Sequence, residues 1–129
     1  MIVHVEISFK VGFSNSVDSS FYIHERNFER DLKDITNFLN YAFKDERHND
    51  SVITITEGDD NVFYLENSKR FILTEYNNGF QERPYNSLEK GYIETASKTF
   101  GTEGSARQEM KKAVIKSLKQ ILKRMENVV

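Results

Sequence analysis

The sequence predicts an α+β fold, in which an antiparallel sheet of about five or six strands carries two main helices on one face. Three observations predict it: a strand pattern opens the chain, a helical pattern interrupts the strand patterns once, and a long helical pattern closes it. The elements follow the order β-β-α-β-β-β-α, in blocks rather than in strict alternation. We expect a single domain over residues 1–129, which is long enough to bury one core.

The first two strands are predicted to form an antiparallel hairpin. Apolar side chains alternate with polar ones through residues 2–11, so that one face is buried and the other is wet. Residues 12–20 are rich in Ser, Asn and Asp, which is typical of a turn or short loop. A second strand is expected at about residues 19–24, where Phe21 and Ile23 extend the buried face.

A helix that faces the core is predicted next. Asn27 is a suitable N-cap, and Glu29 and Asp31 place negative charge in the first turn, where the helix dipole favours it. The apolar residues that follow are spaced by three or four, and they are Phe28, Leu32, Ile35, Leu39 and Ala42. The helix is expected to end within residues 44–49.

Three β-rich runs then predict a meander, at residues 51–56, 62–66 and 70–76. Turn-forming residues separate them, at 58–61 and 67–69. Asn78 and Gly79 form the strongest short hairpin signal in the chain, and they predict a further short strand from Phe80 that ends at Pro84 at the latest. Residues 87–100 are compatible with either a helix or a strand.

The chain closes with a long amphipathic helix over residues 105–129. Ser105 is predicted to cap it, with Gln108 completing a capping box. The apolar stripe recurs every three or four residues and comprises Met110, Val114, Leu118, Ile121, Met125 and Val128. Lysines follow the same spacing on the far side, at Lys112, Lys116, Lys119 and Lys123.

Charge is distributed unevenly along the chain. The net charge is −2, but residues 105–129 hold seven Lys or Arg against two Glu and so carry +5, which leaves −7 on the rest. Such a basic helix either lies across the acidic rim of its own protein, is merely solvated, or faces an external polyanion. The expectation from charged helix faces in general favours the internal or solvated alternatives.

Composition excludes several classes of protein. There is no cysteine, and therefore no disulfide framework, no thiolate zinc site and no thiol nucleophile. The aromatic content of 12% argues against intrinsic disorder. No apolar run approaches the length of a membrane span, and no signal peptide is recognisable, so that a cytoplasmic protein without membrane association is the expectation.

One anion site is predicted where the final helix begins. A helix N-terminus offers free N–H groups and a partial positive charge, and nearby glycines let an anion approach closely. The predicted ligand-binding residues are Gly101, Gly104, Ser105, Arg107, Gln108, Lys111 and Lys112. The spacing is neither that of a P-loop nor that of a dinucleotide fingerprint. The alternative is a flexible loop before an ordinary capped helix.

The same region resembles part of a known family. The sequence Lys98-Thr99-Phe100-Gly101, with Gly104 and the run 107–118, is similar to the last strand, loop and second helix of a double-stranded RNA-binding domain. The resemblance implies phosphate contacts by Arg107 and Lys111 across an RNA groove. Gln108 replaces an expected lysine, no Gly-Pro-x-His loop is present, and too many residues separate the two helices. The resemblance points to anion binding rather than to membership of that family.

Other constellations are weaker. His4, Glu6 and His24 share the outer face of the first hairpin, where a facial metal site and solvated surface histidines are both conceivable, and we expect the latter. The acidic residues near 45–50 and 57–61 fit turns rather than a calcium loop. No metal and no cofactor are predicted. The aromatics Tyr22, Tyr64, Tyr76, Phe80 and Tyr85 are expected to pack on the core or sheet, with an exposed stacking surface as the alternative.

Together these features favour a small non-enzymatic, regulatory binding protein that captures an anionic ligand: a nucleotide, a phosphate metabolite or nucleic acid. The alternative is a protein–protein interaction module, an inhibitor or homodimeric regulator, that uses the C-terminal amphipathic helix. An enzyme that uses carboxylates scattered along the sequence is the third possibility, and no catalytic residue is predicted.

Overall fold

The computed structural model describes residues 2–11, 15–42, 48–59, 62–74, 79–99 and 103–126. The strands are β1 (Ile2–Val11), β2 (Asn15–His24), β3 (His48–Asp59), β4 (Val62–Thr74), β5 (Gly79–Asn86), β6 (Gly91–Tyr92) and β7 (Ala96–Thr99). The helices are α1 (Phe28–Ala42), which follows a single 3₁₀ turn at Glu25–Asn27, and α2 (Glu103–Glu126).

The strands form one antiparallel sheet in the order β2-β1-β3-β4-β5-β6, and β7 also pairs with β5. This confirms the predicted α+β class, the antiparallel sheet and the element order. Because β1 pairs with β2 on one side and with β3 on the other, the N-terminal hairpin extends the sheet formed by the central meander.

Alternation along the strands decides which face is buried. Val5 lies between Phe21 on β2 and Ile55 on β3, and the residues beside it in β1, His4 and Glu6, point to the opposite face. Among the described residues, the core comprises Val3, Val5, Ile7, Ile23, Ile53, Ile55, Phe71, Leu73 and Phe80 from the strands, and nine residues from the helices. Both helices therefore cover the same face of the sheet, and no helix of the described residues covers the other, which we call the open face.

The helices bury the stripes that their spacing predicts. Phe28, Leu32, Ile35 and Leu39 of α1 belong to the core, and so do Ala106, Met110, Val114, Leu118 and Ile121 of α2. The predicted end of α1 lies outside the described residues, as do Gly101 and Tyr76. Among the described helices, none is long and apolar enough to cross a membrane.

Several predicted boundaries are wrong, among them the start of β2, which lies at Asn15 and not near residue 19. The α2 helix begins at Glu103, so Ser105 lies in its first turn and is not its cap. The β5 strand passes through Pro84 to Asn86, because the carbonyl of Pro84 accepts a hydrogen bond from Ile93 on the far side from β4. The N–H and C=O groups of one residue in an antiparallel strand point to the same side, so the N–H that Pro84 lacks would also point away from β4. On that side, an extra residue between β6 and β7 interrupts their pairing with β5.

The predicted turn at residues 67–69 is also wrong as a hairpin, because β4 runs through it without a break. The irregularity takes another form: residues 64–67 of β4 stand opposite Glu57 alone, between the pairs Gly58–Phe63 and Thr56–Ser68. The Ser68 hydroxyl bonds the Leu65 carbonyl at 2.5 Å, so the turn-forming residue serves a bulge instead.

The segment at residues 87–100, for which helix and strand were both open, contains β6 and β7 along the edge of β5. A turn at residues 87–90 joins β5 to β6. In this turn the Asn86 side chain accepts a hydrogen bond of 3.0 Å from the Leu88 N–H, and Lys90 takes a positive φ of 52°.

Candidate functional site

The solvent side of α2 presents a row of lysines. The core residues Met110, Val114 and Ile121 lie on one side of the helix, and the opposite side is formed by the exposed residues Lys112, Lys116, Lys119 and Lys123. The four are spaced by four, three and four residues, so they line up along about 16 Å of helix at 1.5 Å per residue. We refer to these four residues as the lysine row.

Among the described residues, only one member of the lysine row lies beside a carboxylate. Lys112 lies 3.3 Å from Glu109 on the same helix, whereas Arg124, at the edge of the row, is bound at 3.0 Å to Glu57 of β3. Within the part of the chain that the structure describes, no carboxylate lies within 4.0 Å of the ammonium groups of Lys116, Lys119 and Lys123. The row also borders a shallow groove of about 720 Å³ that includes Ile115 and Leu122.

The predicted anion site at the start of α2 is only partly on the surface. Gly104 and Ser105 form part of the first turn, whereas Gly101 lies outside the described residues. Arg107 is 5% exposed and packs into the protein, while Gln108 is exposed. A ligand held there would therefore meet backbone N–H groups and Gln108 before it met the Arg107 guanidinium.

Lys111 is engaged with the neighbouring helix. Its Nζ atom donates a hydrogen bond of 2.6 Å to Oδ1 of Asn40 on α1. This places Lys111 at the junction of the two helices, beside the lysine row rather than on it. Lys112 is the predicted site residue whose side chain lies in the row and is largely exposed, at 70%.

The hairpin histidines do not converge. His4 is opposite Tyr22, Glu6 is opposite Ser20, and His24 is opposite Ile2. The His4 ring stacks on Tyr22 with centroids 4.8 Å apart and also approaches Phe63, so that His4 is half-buried in an aromatic cluster rather than solvated as expected. Among the described residues, no three acidic or histidine side chains are grouped as metal ligands.

The open face of the sheet holds a feature that sequence reasoning missed. Arg70 of β4 stands directly opposite Arg83 of β5. The Arg70 guanidinium lies 4.2 Å from the centre of the Tyr92 ring, and the Tyr92 hydroxyl lies 2.8 Å from the Ser68 hydroxyl. Alternation with Phe71 places Arg70 on this face, but the register with β5 was not predictable from sequence.

No protein-family model matches the chain, and neither does any curated protein or any solved structure. The resemblance to a double-stranded RNA-binding domain is thus without support from a family match.

Packing accounts for only some of the remaining candidates. Of the acidic residues, Glu57 binds Arg124, whereas the side chains at 45–50 and 59–60 lie outside the described part. Phe80 is in the core, and Tyr85 packs edge-on against Tyr92 with centroids 5.3 Å apart. Tyr22 and Tyr64 are more than half exposed, at 53% and 59%.

Proposed function

We propose that this protein is a non-enzymatic binding protein whose ligand is a polyanion, with nucleic acid as the first candidate, and that it binds along the lysine row of α2. The observation that carries the proposal is the exposure of Lys116, Lys119 and Lys123 without a carboxylate partner among the described residues. Neutralising phosphates with lysines releases bound counterions, which drives such binding without base recognition.

The length of the row favours a polyanion over a small ligand. A phosphate metabolite or a single nucleotide cannot contact side chains spread over about 16 Å, whereas a nucleic-acid backbone presents a charge every few ångströms. The predicted site at the helix start is less well supported, because Arg107 is buried and Lys111 is bonded to Asn40. Lys112 belongs both to the predicted site at the helix start and to the lysine row. A cytoplasmic location, where nucleic acids are abundant, fits this function.

The test is a salt titration of binding to a short RNA or DNA duplex. Replacing Lys116, Lys119 and Lys123 together by Gln should flatten the plot of log affinity against log salt by about 0.9 per lysine. The control replaces Lys33 and Lys90, two exposed lysines outside α2, by Gln and should leave the slope close to that of the original protein. No binding at low salt, or an equal slope in the triple variant, would refute the proposal.

The two positions on α2 can be separated by one further variant. Lys111→Gln removes a cation from the predicted helix-start site but none from the lysine row. If the ligand lies along the row, Lys111→Gln should weaken binding less than Lys119→Gln does. The opposite ranking would return the site to the start of the helix.

The interaction-module alternative requires a different surface from the one predicted. The described apolar stripe of α2 is buried in the core of its own chain, so a dimer through that stripe would have to open the core. The outer edge of β2 is better suited to pairing with a second copy of the chain. The strand is ten residues long, pairs with β1 without a register break, and contains no Pro or Lys to deter strand pairing. Light scattering at high concentration tests it, with Ser20→Lys as the variant expected to convert a dimer into a monomer.

A further inference from the structure

Two arginines face each other on the open side of the sheet. Arg70 and Arg83 are paired across β4 and β5, and side chains in this relation have Cβ atoms about 5 Å apart. Like charges directly opposite each other destabilise a sheet. The pair therefore needs either compensation within the protein or a role that outweighs its cost.

Among the described residues, a carboxylate lies close to only one of the two arginines. Arg83 Nη2 donates a 2.6 Å hydrogen bond to Gln81 Oε1 and lies 3.5 Å from the Glu94 carboxylate. Arg70 has no carboxylate within 4.0 Å among these residues, and its guanidinium lies against the face of Tyr92. Along the same row of the sheet Arg70 is flanked by Thr54, and the nearest acid beyond it is Glu6, two strands and thus about 10 Å away.

Each of the two arginines also has one N–H group that donates no hydrogen bond to the described residues. The Nε atoms of Arg70 and Arg83 are buried, and neither has a hydrogen-bond acceptor among the described residues. A buried donor without an acceptor is costly, and a rotation of either side chain that brings its Nε to a ligand's acceptor would remove that cost.

We propose that Arg70 and Arg83 form a binding site for a phosphate group on the open face of the sheet. A phosphate seated between the two side chains would separate the like charges with negative charge and would offer oxygens to both guanidinium groups. Tyr92 stacks on Arg70 and holds its plane, while the hydrogen bond between Tyr92 and Ser68 fixes the tyrosine. Glu94 leaves the site with a net charge of about +1, which suits an anion.

This site is independent of the lysine row. Phe71, beside Arg70 in β4, points into the core beneath the helices, so Arg70 lies on the opposite face of the sheet from α2. A single small ligand cannot reach both surfaces. Either proposal can therefore fail without the other.

The first test observes the arginine Nε–H groups of the unmodified protein by two-dimensional NMR during titration with inorganic phosphate. We expect the Nε–H signals of Arg70 and Arg83 to shift, while that of Arg30, an exposed arginine on α1, stays in place. A parallel titration with a nucleoside monophosphate distinguishes free phosphate from a nucleotide as the source of the phosphate group. A further titration with succinate compares phosphate with a carboxylate ligand. Absence of any shift in the two signals, or equal affinity for succinate, would overturn the phosphate site.

The second test uses Arg70→Met, which keeps an unbranched apolar stem against Tyr92 and removes the charge. Phosphate affinity should fall by about tenfold or more, since charge-assisted hydrogen bonds are lost. In phosphate-free buffer the thermal midpoint should not fall, because the repulsion between the two arginines is relieved. Retained affinity in Arg70→Met, or the same loss in the control Arg30→Met, would refute the proposal, and the triple lysine variant should bind phosphate normally.

Discussion

Nζ of Lys111 on α2 and Oδ1 of Asn40 on α1 are joined by a hydrogen bond of 2.6 Å, across 71 positions of the sequence. The bond fixes the two helices relative to each other at one edge of their contact. It also engages Lys111, a residue of the predicted anion site, in the contact between the two helices. Replacing Asn40 by Ala should lower the free energy of unfolding by about 0.5–1 kcal/mol, since the bond lies at the surface.

This expectation can be measured by urea denaturation of Asn40→Ala and of Lys111→Met, separately and together. If the bond is the main interaction of both side chains, the double variant should be no less stable than Asn40→Ala alone. Fully additive losses would show that the two residues act separately.

The core beneath α2 should be sensitive to loss of volume. Leu118 is 0% exposed, so Leu118→Ala should lower the free energy of unfolding by about 2–5 kcal/mol. The matched control is Leu88→Ala, which removes the same atoms from a side chain that is 93% exposed, and it should change stability by no more than about 0.5 kcal/mol. Similar losses at both positions would contradict the described packing of α2.

The turn between β5 and β6 carries backbone strain at Lys90. Its φ of 52° is unfavourable for a residue with a Cβ atom, so Lys90→Gly should raise the free energy of unfolding by about 1 kcal/mol. Its neighbour Glu89 does not share this conformation, and Glu89→Gly should instead lower stability through the entropy of the unfolded chain. Thermal denaturation of the two variants tests the opposite signs.

The hydrogen bond between the hydroxyl groups of Ser68 and Tyr92 ties the edge of the sheet to β4. Tyr92→Phe removes the bond but keeps the ring beneath Arg70, so it should cost about 0.5–1.5 kcal/mol. In a double-mutant cycle with Ser68→Ala, the coupling energy should account for most of that loss. A coupling near zero would indicate that the bond does not stabilise the protein.

Local patterns in the sequence predicted the kind and order of the elements, apart from β6 and β7. Alternation along β1 identified the buried Val3, Val5 and Ile7, and the spacing in α1 identified Phe28, Leu32, Ile35 and Leu39. These patterns work because side-chain direction repeats every two residues in a strand and every 3.6 in a helix, and burial follows direction. The same rule placed the lysine row of α2 on the side away from the core.

Contacts between distant residues were decided only by the tertiary structure. An arginine is expected at the protein surface, but the position of Arg107 on α2 directs its side chain inward. Lys111 contacts Asn40 only because α1 lies beside α2. The opposition of Arg70 and Arg83 depends on the register of β4 and β5, and the approach of Tyr92 depends on the bulged pairing beyond β5. Periodicity assigns each side chain a direction along its own element, whereas a site requires the directions of several elements to meet, and that information resides in the packing.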